Sequence, residues 1–218
     1  MALQHSPSIV TSGLVFCVDA ANPRSYPGSS TAWYDVSGNG NTGTLINSPT
    51  YTSGISGYFT FDGVDDYVNC GNNSSLQQAS AITMSAWVNP TSTTGLGNIM
   101  AKNYNSGYRF RIDTGQLWWY VSGNAIMGGS VPNGSWSYCT VTGNSSGLSA
   151  YVNGVLVASN SSAFTPTAPS TGDLLIGSLS AASEVFNGKI AMTSMYSRAL
   201  SVTEILQNYN ATRGRYGI

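Results

Sequence analysis

Charge is scarce in this sequence. Lys, Arg, Asp and Glu make up 8% of its 218 residues, against about a quarter in an ordinary soluble domain. The two signs nearly cancel, at a net charge of −1. No basic patch offers itself to nucleic acid or to an anionic membrane surface, so neither is an expected partner. No apolar run approaches the length of a membrane span, and insertion is not expected. Histidine is nearly absent, His5 being the one present. That excludes Ser-His-Asp and Cys-His catalysis and most zinc sites. Glutamate is almost as rare, with Glu184 and Glu204 alone. Glycoside hydrolysis usually needs two carboxylates facing one cleft, which this supply hardly provides. No Walker loop or dinucleotide motif occurs. The expectation is a protein that is not an enzyme. Cys17, Cys70 and Cys139 are odd in number and lie in apolar runs. They read as buried free thiols. The opening Met1–Pro7 lacks a charged-then-apolar export signal.

Gly, Ser, Thr and Asn stand where Lys and Glu would be, a composition that starves helices and feeds strands and turns. With 13 Tyr, 5 Trp and 6 Phe, the chain has the aromatic supply of a packed domain, not of a disordered one. Short strand-like runs recur from Leu14–Val18 to Lys189–Tyr196, the pattern of a sandwich or barrel. Asn153-Gly154 marks one hairpin. Centring a second turn on Thr114-Gly115 sets Arg109 opposite Tyr120 and Arg111 opposite Trp118. Phe110 then meets Trp119 on the other, apolar face. The outward set of Arg109, Arg111, Trp118 and Tyr120 reads as a surface for a sugar ring or a protein partner, or as a second buried layer. Ser201-Val202-Thr203-Glu204 is a capping box that starts a helix reaching about Thr212. Residues 1–12 read as an arm before a single domain, 13–218, able to add a strand to a neighbour's sheet.

Asp35, Ser37 and Asn39 put oxygens at positions 1, 3 and 5 of a loop with Gly40 at 6, the front half of a calcium loop. Position 12, Ile46, is not acidic. The alternative is a turn held by side chain-to-backbone hydrogen bonds. Asp19, Asp62, Asp65 and Asp66 are the other oxygen donors in view, and they also read as turn residues.

Three segments in order carry a family resemblance. They are Trp33-Tyr34-Asp35-Val36-Ser37-Gly38-Asn39-Gly40-Asn41-Thr42-Gly43-Thr44-Leu45, then Tyr58-Phe59-Thr60-Phe61-Asp62-Gly63-Val64-Asp65-Asp66-Tyr67-Val68, and Met195-Tyr196-Ser197-Arg198-Ala199-Leu200-Ser201-Val202-Thr203-Glu204-Ile205. The sequence resembles the LamG-like branch of the concanavalin A-like lectin/glucanase superfamily. The resemblance implies an all-β, two-sheet antiparallel jelly-roll sandwich with one short C-terminal helix. It implies a possible calcium ion, although Ala191 and Met192 depart from the acidic position such domains often carry. The glucanases' Glu-x-Asp-x-x-Glu pattern is absent. Leu14–Pro23 and Asn208–Gly217 look most like stand-alone domains of tailed-phage structural proteins. That resemblance, with the low charge, implies a virion surface protein: a decoration, fibre or tail component that contacts other virion proteins and its own copies. The alternative is a glycan-binding module, on a virion or extracellular.

Overall fold

Alternating apolar and polar residues build strands along most of the chain, and the computed structural model describes residues 8–92, 95–103, 107–121, 123–164, 171–181 and 183–218. The first strands are β1 (Leu14–Asp19), β2 (Ala32–Trp33), β3 (Gly43–Ile46) and β4 (Thr50–Thr52). Next come β5 (Tyr58–Asp62), β6 (Tyr67–Asn69), β7 (Ile82–Pro90) and β8 (Leu96–Lys102). β9 (Tyr108–Asp113), β10 (Gln116–Val121), β11 (Asn124–Ser130) and β12 (Ser137–Asn144) follow. The last are β13 (Gly147–Val152), β14 (Val155–Asn160), β15 (Leu174–Ile176) and β16 (Asn187–Tyr196), before helix α1 (Val202–Thr212) and a 3-10 turn at Arg213–Tyr216.

The strands form two antiparallel sheets. The first has the order β14-β13-β12-β7-β16-β5-β4, with β1 also on β16. The second has the order β11-β10-β9-β8-β15-β6-β3-β2. Phe16, Trp33, Phe59, Phe61, Met84, Phe110 and Trp119 fill the space between them. Strand period decides the sides: Leu117, Trp119 and Val121 are buried, while Trp118 and Tyr120 lie on the other face. The two expected hairpins form. Thr114 and Gly115 have φ of 47° and 78°, and Asn153 and Gly154 have 52° and 79°, the paired positive φ of a type I′ turn. The register is the expected one, with Arg111 opposite Trp118 and Arg109 opposite Tyr120.

The sequence pattern misses β2, β3, β4 and β11. β2 is two residues long and sits in a segment whose Ser, Gly and Pro read as loop. β11 carries Gly128 and Gly129, and the ladder is bulged there opposite Gln116 and Leu117.

The outer face of the first sheet is closed. Helix α1 starts at the capping box, Ser201 Oγ accepting the Glu204 amide at 3.3 Å and Glu204 Oε2 the Ser201 amide at 2.9 Å. Its Ile205, Asn208 and Thr212 are buried against the sheet. Trp87 donates from Nε1 to Thr212 Oγ1 at 2.8 Å, and its ring stacks on Tyr216 at 4.2 Å. Of the expected arm, residues 1–7 lie outside the described residues. The rest is part of the packed unit, unlike a free-standing arm. The Val10 amide donates to Asn208 Oδ1 at 2.8 Å, its carbonyl accepts from Tyr196 Oη at 3.0 Å, and Val10 itself is buried. All three cysteines are buried and free.

Candidate functional site

With α1 on the first sheet, the second sheet has the more accessible outer face, and that only in part, since β8, β9 and β15 are buried along most of their length. The residues expected to face outward there do so, but at different depths. Trp118 and Tyr120 are half-buried, and their rings are parallel within 6° at a centroid separation of 5.6 Å. Arg111 Cζ lies 3.7 Å from the Trp118 ring centroid, and Arg109 Cζ lies 4.6 Å from that of Tyr120. The arginines, however, are only 6% and 7% exposed. Glu184 holds them down, at 3.5 Å from Arg109 and 2.9 Å from Arg111. Asp113 adds a 3.2 Å contact to Arg111. The arginines therefore act as an underlayer that fixes the aromatic rings, not as contact groups. One face of Trp118 is already occupied by a guanidinium.

Glu184 belongs to the loop between β15 and β16, which folds over this sheet. The Phe186 amide bonds to the Gly177 carbonyl at 2.8 Å and pinches the loop shut. Glu184 adopts φ of 50°, and its carbonyl and carboxylate both accept from Asn98 Nδ2, at 3.1 and 3.0 Å. On the far side of the loop is a cleft of about 620 Å³, lined by residues that include Tyr67, Asn69, Asp173, Leu175, Leu179 and Ser183. Asn69 Nδ2 donates to Asp173 Oδ2 at 2.9 Å, and Asn69 Oδ1 accepts from the Gly71 amide at 2.8 Å. Asp173 is exposed, while Tyr67 and Asn69 are half-buried. Beneath the cleft, Lys102 is fully buried and donates to the Gly172 carbonyl at 2.7 Å and to Asn72. Burial pulls its amine down to about 8, against a smaller upward pull from Asp173. From Tyr120 to Tyr67 is four strand spacings in the sheet order, or about 19 Å at ~4.8 Å per strand.

The cleft residues are not singled out by the sequence. Tyr67 and Asn69 alternate with buried Val68 and Cys70, so their outward side could be read. Asp173 and Leu179 reach them only because β15 pairs with β6, across more than a hundred residues of chain.

The loop at Asp35 has the geometry of a turn. Asp35 Oδ1 accepts from the amides of Cys17 and Ser37, each at 2.9 Å. Its Oδ2 accepts from Ser37 Oγ at 2.8 Å and from the Asn41 amide at 3.0 Å. Asn39 turns its Nδ2 to Ser37 Oγ at 3.1 Å. Four protein donors satisfy the carboxylate, so Asp35, Ser37 and Asn39 do not fit a calcium ion as placed. Asp62, Asp65 and Asp66 converge instead, with ligand atoms within 4.8 Å of one another. Asp65 and Asp66 lie in the turn after β5, not on a strand, which is why their carboxylates share a side. The Asp66 carboxyl is raised, by burial first and by Asp62 and Asp65 in smaller part, against the lowering hydrogen bond from the Asp62 amide. Asp62 Oδ1 also accepts from the Val64 amide at 2.8 Å, so the cluster closes its own turn.

A family model of the concanavalin A-like lectin/glucanases superfamily, Laminin_G_3, matches residues 62–206. The chain belongs to this family. No curated protein matches this Laminin_G_3 domain by sequence. Solved structures share its fold. The binding domain of Paraclostridial Mosquitocidal Protein 1 superposes with a TM-score of 0.72 at 17% identity, over 91% of this chain and 52% of that one. The binding domain of Botulinum Neurotoxin DC, in complex with SialylT, gives 0.73 at 15%, over 93% and 52%. Domain 4 of AbnA, an extracellular arabinanase from Geobacillus stearothermophilus, in complex with arabinotriose, gives 0.70 at 17%, over 91% and 98%. The Laminin_G_3 domain thus spans about half the length of the toxin binding domains it matches. Among its described residues no helix is long and apolar enough to cross a membrane.

Proposed function

We propose that this domain is a non-enzymatic, glycan-binding module whose site is the cleft between the 177–186 loop and strands β6 and β15. The observation that carries this reading is the lining of that cleft. An aromatic ring at Tyr67, a hydrogen-bonded amide–carboxylate pair at Asn69 and Asp173, and loop hydroxyls meet on the outer face of the second sheet. A sugar presents the same mixture, apolar C–H patches with adjacent hydroxyls that donate and accept. The similar structures support it, since two of them are complexes with SialylT and with arabinotriose. The non-enzymatic part rests on the carboxylates. Glu184 is tied to two arginines, and Glu204 to Arg198 and the helix cap. Neither is left to act as an acid or a nucleophile. Glycan microarray screening followed by calorimetry tests the binding. Asn69→Ala and Tyr67→Ala should each weaken the best ligand at least about tenfold, by losing hydrogen bonds or ring contact. Unchanged affinity in both variants would move the site away from the cleft.

A second reading, the virion surface role, has its own support. The β14 edge strand carries no charge and exposes Val155 and Leu156, at 65% and 52%, a profile suited to contact with neighbouring protein. On this reading the glycan module is displayed on a particle, and its localisation is virion or extracellular. Finding the chain in purified particles by mass spectrometry is the test.

A further inference from the structure

The charges around the cleft narrow its ligand, on the premise that the cleft binds glycans. The chain has eight basic residues, and every one can be placed. Lys102, Arg109 and Arg111 belong to the second sheet and are 0%, 6% and 7% exposed. Lys102 is turned to Asn72 and the Gly172 carbonyl, and the two arginines are held by Glu184. Lys189 lies on β16 of the first sheet, with its amine 5.0 Å from the Tyr58 ring centroid. Arg198 is clamped to Glu204 at the start of α1, and Arg215 to Asp19. Arg213 sits over Tyr209 of the helix, and Arg24 is in the loop before β2. No charged residue occurs between Asp113 and Asp173. The strands of the second sheet therefore present no exposed cation. The charge that the cleft does expose is a carboxylate, Asp173.

We infer that the cleft selects uncharged saccharides and rejects those carrying a carboxylate, sulfate or phosphate. A sialyl or uronic carboxylate placed here would meet Asp173 without an accessible guanidinium or ammonium to pair with. The buried Lys102 softens that field but cannot reach the ligand, because it is fully buried and turned to Asn72 and the Gly172 carbonyl. Desolvating an unpaired anion beside a like charge is unfavourable, and selectivity follows from that repulsive element as much as from the attractive ones. The Asn69–Asp173 pair instead supplies what a neutral sugar's hydroxyls recognise: acceptor oxygens within one ring's reach. The preference is thus for neutral glycans, opposite to that expected of a site built around exposed arginine.

The test compares matched probes on the wild-type domain by calorimetry at moderate salt. Lactose, N-acetyllactosamine and arabinotriose form the neutral set. Sialyllactose and sulfated lactose form the charged set. The neutral set should bind, and each charged derivative should bind about tenfold more weakly than its parent, or not at all. Asp173→Arg, checked for an unchanged melting curve, should reverse the order for sialyllactose. If charged derivatives bind wild type as well as or better than their parents, the selectivity is wrong while the glycan reading stands. If neither set binds, and a broad array is also silent, the glycan reading fails and the selectivity falls with it. Should the Asp173 variant not fold, the wild-type comparison alone decides.

Discussion

Asp35 and Glu184 each collect several donors, and each holds together parts of the chain that are not neighbours in sequence. Asp35 joins the β1 amide of Cys17 to the turn at Ser37 and Asn41. Its replacement by alanine strands three amides and a hydroxyl. Asp35→Ala should lower stability by about 1.5–3 kcal/mol, the scale for hydrogen bonds to a charged group, as read from urea denaturation. Because that carboxylate is already satisfied, any difference between melting curves in calcium and in chelator should be the same for wild type and Asp35→Ala. A rise in melting temperature with calcium that Asp35→Ala abolishes would refute the turn reading. Glu184 carries a heavier load, since two buried guanidinium groups depend on it. Glu184→Ala leaves both charges without their main partner and should cost roughly 3 kcal/mol. It should also shift Trp118 emission, because the stacked Arg111 is released.

The helix and the segment before β1 act as one element. α1 turns Asn208 inward to take the Val10 amide on one side and to donate to Tyr196 Oη at 3.0 Å on the other. Deleting residues 2–12 should therefore destabilise the domain, with the loss of Val10 burial and two buried hydrogen bonds, and a melting curve reads it directly. Ser201→Ala removes the cap from the Glu204 amide and should cost roughly 0.5–2 kcal/mol. The same cap makes the helix sensitive to acid. The Arg198 guanidinium first, then the Ser201 amide, lower the Glu204 carboxyl from 4.5 to about 2. A depressed carboxyl stabilises the fold when ionised, so its contribution is complete above pH 4.5 and disappears as pH falls toward 2. Glu204→Gln should flatten the pH dependence of stability across that window. Equal acid profiles for variant and wild type would place the sensitivity elsewhere.

At the level of the whole molecule, the helix and the 3-10 turn cover the outer face of one sheet, and the other keeps only part of its outer face exposed, since β8, β9 and β15 are buried along most of their length. The 177–186 loop then divides that exposed part into a cleft and an aromatic ladder. Incubation with a broad oligosaccharide panel should release no reducing ends, since both glutamates are committed to ion pairs. Turnover that vanished on changing one aspartate would show that catalysis uses a carboxylate outside those pairs.

Much of this was legible from local chemistry. The Thr114-Gly115 and Asn153-Gly154 turns demand φ values that few residues accept, so the hairpins and their registers follow from a few adjacent letters. The Ser201–Glu204 box is a helix-start signal carried by four adjacent residues, and strand period put Trp119 inside and Trp118 outside. For Arg109 and Arg111 the letters left two readings open, an exposed surface or a second buried layer, and the structure takes the second. That burial depends on Glu184, more than seventy residues away, reaching them from a loop. The cleft could not be seen, because Asn69 meets Asp173 only after β15 has taken its place beside β6. Asp62, Asp65 and Asp66 read as turn residues and are found at the end of β5 and in the turn after it, but that their carboxylates converge shows only in the folded chain. Hydrogen bonds and turns between near neighbours are encoded in the letters themselves. Ion pairs and pockets are made by sheet order, and sheet order emerges only when the whole chain packs.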